Sequence, residues 1–575
     1  MAVRPNLDYA RDSANFQWEQ VHGELDWLPG GGLNMAHEAI DRHADGARRD
    51  KVAMIWEGRN GEHETYTFGR LKALTNRFAN VLVSLGVGKG DRVFLLMDRL
   101  PELYITCFGA LKVGAIVGPL FSALGPDPVR DCLQDSAAKV LVTQPHLRRR
   151  ITGIIPELFD LQHIVVVNKN DRDPVPHEMS DLSYDEEMGK ASPNFDIVAT
   201  SQYDSSIMHY TSGTTGKPKG AVHRHRAIVQ QHVTGKWVLD LHEDDVYWCT
   251  ADPGWVTGTS YGMLAPWSNG VTQLIYEGGL RAGAWYEQIQ KHKVTVWYTA
   301  PTAIRMLMKA GDEVPRRYNL SSLRHLSSVG EPLGPEAVVW GEATFGVPFH
   351  DNWWQTETGA ILIANYPSMD IRPGSMGRPV PGIQVGILDG DFDPVPPGDD
   401  GNLAIRPGWP SMFQTYWEFQ TYWDDAETYN SKFRNGWYIT SDRARMDEDG
   451  YLWFVGRADD VINTAGHLVG PFEVETALFE HPAVADAAVI GKPDPVAMEI
   501  VKAFVVLKEE FEPTPELRDE ITRFTRQKLS TGIAPREIEF VASLPRTRNG
   551  KVMRRLLKAR ELGLPEGDTG ALEDD

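Results

Sequence analysis

Cysteine is scarce in this sequence, which has only Cys107, Cys132 and Cys249 among its 575 residues. The three lie far apart and form no CxxC pair, which argues against a disulfide framework and against a cysteine zinc site. We expect these thiols to be buried and to have a structural role only.

Long apolar runs are also lacking, because no stretch approaches the roughly 18 residues needed to span a bilayer. Residues 1–6 lead into polar sequence rather than into the apolar region of a signal peptide. Basic residues number 58 against 79 acidic ones, and the formal net charge is -21. Nucleic acid and anionic membranes require a basic face to bind. We therefore expect a cytoplasmic protein that binds neither.

The chain is too long for one ordinary domain, so a large core with a smaller attached domain is the starting expectation. Apolar residues recur on one helical face, and short apolar segments typical of buried strands follow them. The helical face carries Leu71, Leu74, Phe78, Val81 and Leu85, and the strand segments are 93–97, 164–167, 207–210 and 294–298. This alternation predicts an α/β fold.

A compact segment near the carboxyl end has its own predicted helix at 472–480 and strands at 487–490 and 503–507. We therefore predict a large domain of α/β layers at 1–458 and a small α+β domain at 459–575, with the boundary at Asp459.

A loop rich in glycine, hydroxyl side chains and lysine directly follows the apolar residues 207–208. Its candidate phosphate-binding residues are Thr211, Ser212, Gly213, Thr214, Thr215, Gly216 and Lys217. Glycines allow successive N–H groups to surround phosphate oxygens, and the side chains add donors and charge. It is not the usual P-loop, because Lys217 is followed by Pro218 and the upstream glycine is missing. From spacing alone, a flexible hydrophilic loop explains the pattern equally well.

The loop resembles the signature loop of the adenylate-forming superfamily, which comprises acyl-CoA synthetases, peptide-synthetase adenylation domains and luciferases. Further motifs of that superfamily follow in its order at 328–332, 351–359, 436–442, 456–460 and 545–551. The resemblance covers nearly the whole chain and is strongest to AMP-forming acetyl-CoA synthetases. It implies that a small carboxylic acid reacts with ATP to give acyl-AMP, and that the acyl group then passes to coenzyme A.

The resemblance also assigns roles to residues. It places the adenine and its surroundings at Gly330, Glu331, Pro332, Asp351, Asn352, Trp353 and Gln355, the α-phosphate at Thr356, Mg²⁺ at Glu357, and the ribose at Asp442 and Arg457. Lys551 resembles the catalytic lysine, which in related enzymes is also a target of acylation and deacylation enzymes. Asp459 matches the hinge about which the small, mobile C-terminal domain rotates between the two steps.

Trp354 is the position that bears most on the choice of acid. In acetyl-CoA synthetases this second indole walls off the acyl pocket, and a packed wall admits only about two or three carbons. Trp255, Val256, Thr257 and Val329 match the rest of the pocket lining. Acetate is the expected substrate, and a propionyl- or medium-chain acyl-CoA synthetase is the alternative.

Three assignments rest on weaker matches. Thr257, Ala465 and Gly466 match coenzyme A contacts, and Phe479, His481 and Val484 match a structural cation site. Leu468 stands where most relatives have an arginine that contacts the ATP phosphates. This departure leaves open a non-catalytic nucleotide-binding protein, and an acceptor thiol on a carrier protein is a further alternative.

Overall fold

The computed structural model describes residues 3–169, 181–211, 219–417, 426–458, 460–464, 467–495, 497–529, 533–546 and 551–566. In this part of the chain, helices and strands alternate and pack in layers, which confirms the expected α/β class. No helix in it is long and apolar enough to cross a bilayer. The three cysteines are buried with free thiols, as expected.

Three sheets form the framework of the described residues. The first has 14 strands, namely Val52–Glu57, His63–Thr67, Val246–Cys249, Thr272–Tyr276, Val296–Thr299, His325–Ser328, Phe349–Trp353, Ile363–Ala364, Ser375–Pro379, Val385–Leu388, Asp400–Ile405, Phe433–Arg434, Trp437–Met446 and Leu452–Arg457. The second has eight, namely Arg92–Leu96, Ile116–Leu120, Val140–Thr143, His163–Val166, Asp181–Ser183, Ser205–Thr211, Lys219–Arg224 and Thr415–Trp417. The third has five, namely Ile462–Thr464, His467–Val469, Val484–Asp494, Met498–Leu507 and Glu537–Phe540.

Helices cover these sheets. The α-helices of the described residues are Tyr9–Asp12, Arg42–Asp45, Phe68–Ser84, Pro101–Lys112, Pro126–Asp135, Pro145–Arg150, Tyr184–Lys190, Ala227–Trp237, Val256–Thr259, Ala265–Ser268, Ala282–His292, Pro301–Lys309, Pro335–Phe345, Ala426–Ser431, Pro471–Phe479, Pro515–Leu529 and Arg554–Leu562. Short 3-10 segments lie at Trp18–Glu24, Thr152–Glu157 and Pro315–Arg317, and π-type segments at His37–Asp41 and Ser260–Leu264.

The helix Phe68–Ser84 shows how local sequence sets an element. Thr67 precedes it in an extended conformation, and its hydroxyl accepts a hydrogen bond at 3.1 Å from the backbone N–H three residues later. This cap satisfies a donor that the first helical turn leaves free. Leu71 and Phe78 recur on one face and are buried against the helix Pro101–Lys112.

Parallel strands in the middle of the 14-stranded sheet determine where a ligand can bind. Four of them, Val246–Cys249, Val296–Thr299, His325–Ser328 and Phe349–Trp353, lie side by side. Carboxyl ends of parallel strands meet at one edge of a sheet, and ligands commonly bind just outside that edge. The segments that follow these strands are therefore brought together.

The C-terminal described residues form their own sheet around their own apolar core. Strands Val484–Asp494 and Met498–Leu507 pair antiparallel, and Glu537–Phe540 runs parallel to the second of them. The helix Pro471–Phe479 packs on this sheet over an apolar cluster. A separate core is what a small domain requires. Asp459 lies outside the described residues, so the boundary there stays a prediction.

Candidate active site

A cleft of about 1780 Å³ opens at the carboxyl edge of these parallel strands, and residues of the C-terminal sheet region line its other side. The structure brings together in it the predicted site residues Trp255, Val256, Thr257, Val329, Gly330, Glu331, Pro332, Asp351, Asn352, Trp353, Trp354, Gln355, Thr356, Glu357, Asp442, Arg457, Phe479 and Lys551. Positions almost 300 residues apart in the sequence thus share one cavity.

Asp442 lies at the centre of a hydrogen-bond network. Its Oδ2 accepts from Trp353 Nε1 at 3.0 Å and from Gln355 Nε2 at 2.9 Å. Arg457 faces it across two antiparallel strands, with Nη1 3.7 Å from Oδ1. Burial raises the pKa of Asp442, and the positive charge of Arg457 opposes that rise. Because the protein donors occupy Oδ2, Oδ1 keeps room for further donors such as hydroxyl groups.

Gly330 turns the chain just after the strand His325–Ser328. Its φ is 99°, which L side chains rarely adopt, and an added Cβ would meet nothing within 4 Å. The turn therefore presents an open, flat stretch of backbone. Glu331 beside it is fixed in place, since its carboxylate accepts from Arg305 at 2.6 Å and from the Thr302 hydroxyl at 2.6 Å.

Asp351 and Asn352 are adjacent but differ in what their side chains do. Asp351 Oδ1 is buried and has no hydrogen-bond partner among the described residues, and burial raises the pKa of this carboxyl. It is thus available to a polar group of a bound ligand. Asn352 is already engaged, because it accepts from Tyr298 at 2.9 Å and donates to Ser327 at 3.1 Å. Its side chain supports the cleft wall.

Gly359 closes the turn that carries Thr356 and Glu357. Its φ is 70°, and a Cβ there would lie 2.4 Å from the carbonyl oxygen of Ser411, so only glycine fits. Thr356 and Glu357 are left partly exposed in the cleft. A hydroxyl beside a carboxylate can serve a phosphate oxygen and a hard cation.

Lys551 reaches the cleft from the C-terminal side. Arg546 and Val552 form an isolated antiparallel bridge, which ties together the two ends of 547–550, a segment outside the described residues. Lys551 is exposed and lines the cleft, and its positive charge acts to lower the pKa of Asp442. The ammonium group therefore faces the same space as the other site residues.

The predicted acyl-pocket residues include an aromatic wall. Trp354 is 7% exposed, and its Nε1 donates to the Tyr298 hydroxyl at 3.3 Å. Its ring packs at 72° to that of Tyr261, with centroids 5.2 Å apart. Trp255 contacts Phe121 at a centroid distance of 5.6 Å. Each indole is therefore packed against a further ring.

Several residues of this site were missed by sequence reasoning. Tyr298 and Tyr261 hold Trp354, and Arg305 holds Glu331. Arg554 makes a two-pronged ion pair with Glu475, at 2.7 and 2.6 Å, just beyond the Lys551 segment. One indication for Tyr298 was present in the sequence, because this residue ends the predicted buried strand 294–298 and is followed by Thr299.

Part of the predicted site lies outside the described residues. This applies to Ser212, Gly213, Thr214, Thr215, Gly216, Lys217, Asp459, Ala465 and Gly466, whereas Thr211 is described only as the end of the strand Ser205–Thr211. Their roles stay predictions.

The three residues of the predicted cation site lie at the end of the helix Pro471–Phe479. The His481 carbonyl accepts from the N–H of Val484 at 3.0 Å, and its Nδ1 accepts from the N–H of Ala483 at 3.2 Å. The ring therefore helps to close the helix end, and cation binding here stays a prediction.

Comparisons with known proteins place the chain among relatives of similar length. Residues 40–417 match the family described as AMP-binding enzyme, and residues 473–551 match the AMP-binding enzyme C-terminal domain. The acetyl-coenzyme A synthetase of Bacillus subtilis (strain 168) is 52% identical over 569 residues, covering 99% of this chain and 97% of that protein. The acetyl-coenzyme A synthetase of Methanothrix thermoacetophila is 42% identical, with coverage of 97% and 87%.

Solved structures are also similar to nearly the whole chain. An acyl-CoA synthetase of Brucella canis aligns with a TM-score of 0.75 and 36% identity over 97% of this chain and 99% of that one. The anthranilate CoA ligase AuaEII, solved with anthranoyl-AMP, aligns with a TM-score of 0.84 and 31% identity over 96% of this chain and 99% of that one.

Proposed function

The chain belongs to the family of AMP-binding enzymes, and on that premise we propose that it is an acetate–CoA ligase that converts ATP, acetate and coenzyme A to acetyl-CoA, AMP and diphosphate. Similarity to acetyl-coenzyme A synthetases along nearly the whole chain supports acetate as the acid. The observation that carries the proposal is the single cleft, in which Asp442, Thr356, Trp354 and Lys551 meet.

Adenylation is the first step. A carboxylate oxygen of acetate attacks the α-phosphorus, the new P–O bond forms, and diphosphate leaves with the electrons of the broken bond. Negative charge builds on the phosphoryl oxygens, so fixed positive charge nearby lowers the barrier. Lys551 supplies that charge from the C-terminal side, and the Thr356 hydroxyl donates to the α-phosphate. The loop 211–217 holds the departing phosphates.

The adenosine part is held by the opposite wall. Asp442 accepts the ribose hydroxyls, and Arg457 keeps that carboxylate charged against the effect of burial. The adenine lies against the open turn at Gly330 and beside Trp353, and the unpartnered Asp351 oxygen meets a polar edge of the ring.

Glu357 suits Mg²⁺, because its carboxylate is partly exposed in the cleft next to Thr356 and hard cations prefer oxygen ligands. When bound, Mg²⁺ supplies charge neutralisation to the phosphates of ATP. Glu357 is the residue that would hold it.

Thioester formation is the second step. The thiol sulfur of coenzyme A attacks the acetyl carbon, the bond to the AMP oxygen breaks, and the thiol proton passes to solvent. We propose that 459–575 turns as a unit about Asp459 between the steps, and that Thr257, Ala465 and Gly466 line the path of coenzyme A. The separate core of the C-terminal sheet supports such a rigid-body motion.

The test is exchange of labelled diphosphate into ATP with acetate, propionate, butyrate and hexanoate. Wild type should exchange with acetate and propionate only, because the Trp354 wall leaves no room for longer chains. Trp354→Ala should gain butyrate and hexanoate, whereas Trp340→Ala, at an indole outside the cleft, should not. Lys551→Ala should lose exchange with every acid but still form acetyl-CoA from supplied acetyl-AMP. Hexanoate exchange by wild type would move the enzyme to the medium-chain class.

The exposure of Lys551 also supports control by acylation, since acetylation removes the ammonium charge. We propose that acetylating and deacetylating enzymes act on Lys551 in the cytoplasm. Acetylated protein should lack diphosphate exchange and regain it on deacetylation; exchange at the full rate from protein acetylated at Lys551 would refute this.

A further inference from the structure

A second group of side chains with metal-ligand chemistry lies outside the cleft. Glu57 ends the strand Val52–Glu57, and His63 begins the next strand directly opposite it in the antiparallel ladder. His292 is the last residue of the helix Ala282–His292. One carboxylate oxygen and one ring nitrogen from each histidine all lie within 4.8 Å of one another. None of the three lines the cleft.

The three ligand atoms surround one point. Oε1 of Glu57 is 2.5 Å from His63 Nδ1 and 2.9 Å from His292 Nε2, and the two rings are parallel to within 6°. A tetrahedral ion with ligands at about 2.1 Å needs ligand atoms about 3.4 Å apart. Each atom therefore has to move by less than about 1 Å. His63 is 46% exposed and can rotate, whereas the buried Glu57 and His292 have to separate by only about 0.5 Å.

Basic side chains near Glu57 compete with any cation bound there. The competing cation is Lys291, whose ammonium lies 2.8 Å from the Glu57 carboxylate. Its side chain is 48% exposed, so it can turn to water when another cation takes its place. Arg59 is not a competitor, because it pairs with Glu277 and Asp98.

We propose that Glu57, His63 and His292 bind one zinc-class divalent ion, with water as the fourth ligand. Two imidazoles and one carboxylate suit Zn²⁺ and Co²⁺, whereas Mg²⁺ prefers oxygen ligands alone. The ion would tie the hairpin of Glu57 and His63 to the end of the helix Ala282–His292. This site is independent of the Mg²⁺ that accompanies ATP.

The test is titration of the full-length chain with Co²⁺, followed by its visible absorption, and with Zn²⁺ by calorimetry in excess Mg²⁺. Wild type should bind one equivalent, and His63→Ala should weaken binding by at least about tenfold. His37→Ala is the matched control, because His37 faces a single carboxylate, Asp26, at 2.9 Å. Lys291→Met should bind more tightly than wild type, since it removes the competing ammonium.

A second readout separates binding from folding. Zn²⁺ should raise the midpoint of thermal unfolding in wild type and not in His63→Ala. Diphosphate exchange by His63→Ala should equal that of wild type, because His63 lies outside the cleft. The proposal is overturned by an absence of binding in both wild type and Lys291→Met, or by equal Co²⁺ affinities of wild type and His63→Ala.

Discussion

Side chains that shape the cleft are themselves positioned by other side chains. Trp354 donates its indole N–H to Tyr298, and Tyr298 donates its own proton to Asn352. Tyr261 also contributes, because its hydroxyl accepts the backbone N–H of Ile361 at 2.8 Å while its ring packs at 72° to that of Trp354. The position of Trp354 therefore depends on the two tyrosines packed against it.

We predict that Tyr298→Phe loosens this wall. The change leaves the buried Trp354 Nε1 and Asn352 Oδ1 without their partner, which costs roughly 1–3 kcal/mol of unfolding free energy. Activity with butyrate should rise relative to acetate, measured as the ratio of kcat/KM values, while KM for ATP stays near the wild-type value. Tyr286→Phe is the matched control, since its hydroxyl is buried without a partner outside the cleft. Unchanged selectivity in Tyr298→Phe would count against a positioning role.

The segment that carries Lys551 is tied down at both ends. Arg546 and Val552, which flank this segment, are joined by a β-bridge. In addition, the N–H of Met553 donates to the Pro545 carbonyl at 2.8 Å. Arg554 then begins the helix Arg554–Leu562 and forms the ion pair with Glu475. These bonds place the lysine without contacting it.

We predict that Glu475→Gln slows adenylation more than it weakens substrate binding. Burial raises the pKa of Glu475, and the charge of Arg554 opposes this rise. Each of the two charges therefore compensates for the water that the other has lost. Removing one partner of a buried pair costs about 3–5 kcal/mol, and the 21% exposure of Arg554 puts this pair at the lower end of that range. In diphosphate exchange, kcat should fall, while KM for acetate stays constant because the proposed acyl pocket is lined by residues that follow strands of the large sheet. Glu561→Gln, which breaks the ion pair with Lys502 in the same domain, should lower stability without that fall in kcat. An equal loss of kcat in both variants would show that Glu475 has no particular link to Lys551.

Across the whole chain, a group of histidines is buried in the neutral form. Burial lowers the pKa of His43 and His209 to about 3, and of His223, His225 and His350 to about 4. The unfolded chain binds these protons near pH 6.5. The stability that each neutral histidine contributes is therefore complete above about pH 6.5 and is lost as the pH falls toward the folded-state pKa. Buried carboxyls with a raised pKa, such as Asp351, act in the opposite direction.

We predict that His209→Gln makes the acid sensitivity of folding shallower. One such histidine contributes a slope of at most about 1.4 kcal/mol per pH unit between pH 6.5 and 4. The measurement is the free energy of unfolding in urea at several pH values in that window. His22→Gln, at an exposed position, should keep the wild-type slope. The prediction fails if wild type and His209→Gln lose stability in parallel.

Apolar periodicity in the sequence was enough to locate many elements. The predicted strand at 207–210 lies within Ser205–Thr211, and the face from Leu71 to Leu85 corresponds to the helix Phe68–Ser84. The C-terminal predictions at 487–490 and 503–507 fall inside Val484–Asp494 and Met498–Leu507. Such patterns are local, since a strand or helix buries one face wherever it packs.

Contacts between distant residues could not be predicted in the same way. Trp353 meets Asp442 and Trp354 meets Tyr298 because of the order of strands in the large sheet, and no local pattern encodes that order. His292 joins Glu57 for the same reason. The motifs indicated which residues belong to one site, whereas the side chains that hold them required the folded chain.

The short stretch 353–357 has a consequence for how this enzyme can evolve. Trp353 and Gln355 donate hydrogen bonds to Asp442, and Trp354 between them lines the same cleft, where we propose that it closes the acyl pocket. Side chains alternate across an extended chain, so neighbours along it serve different ligands. Substitution of Trp354 alone can therefore change the preferred acid, while its neighbours keep their hydrogen bonds to the residue that we propose binds the nucleotide. A library that randomises Trp354 alone should retain ATP-dependent members, whereas one that randomises the whole stretch should yield almost none.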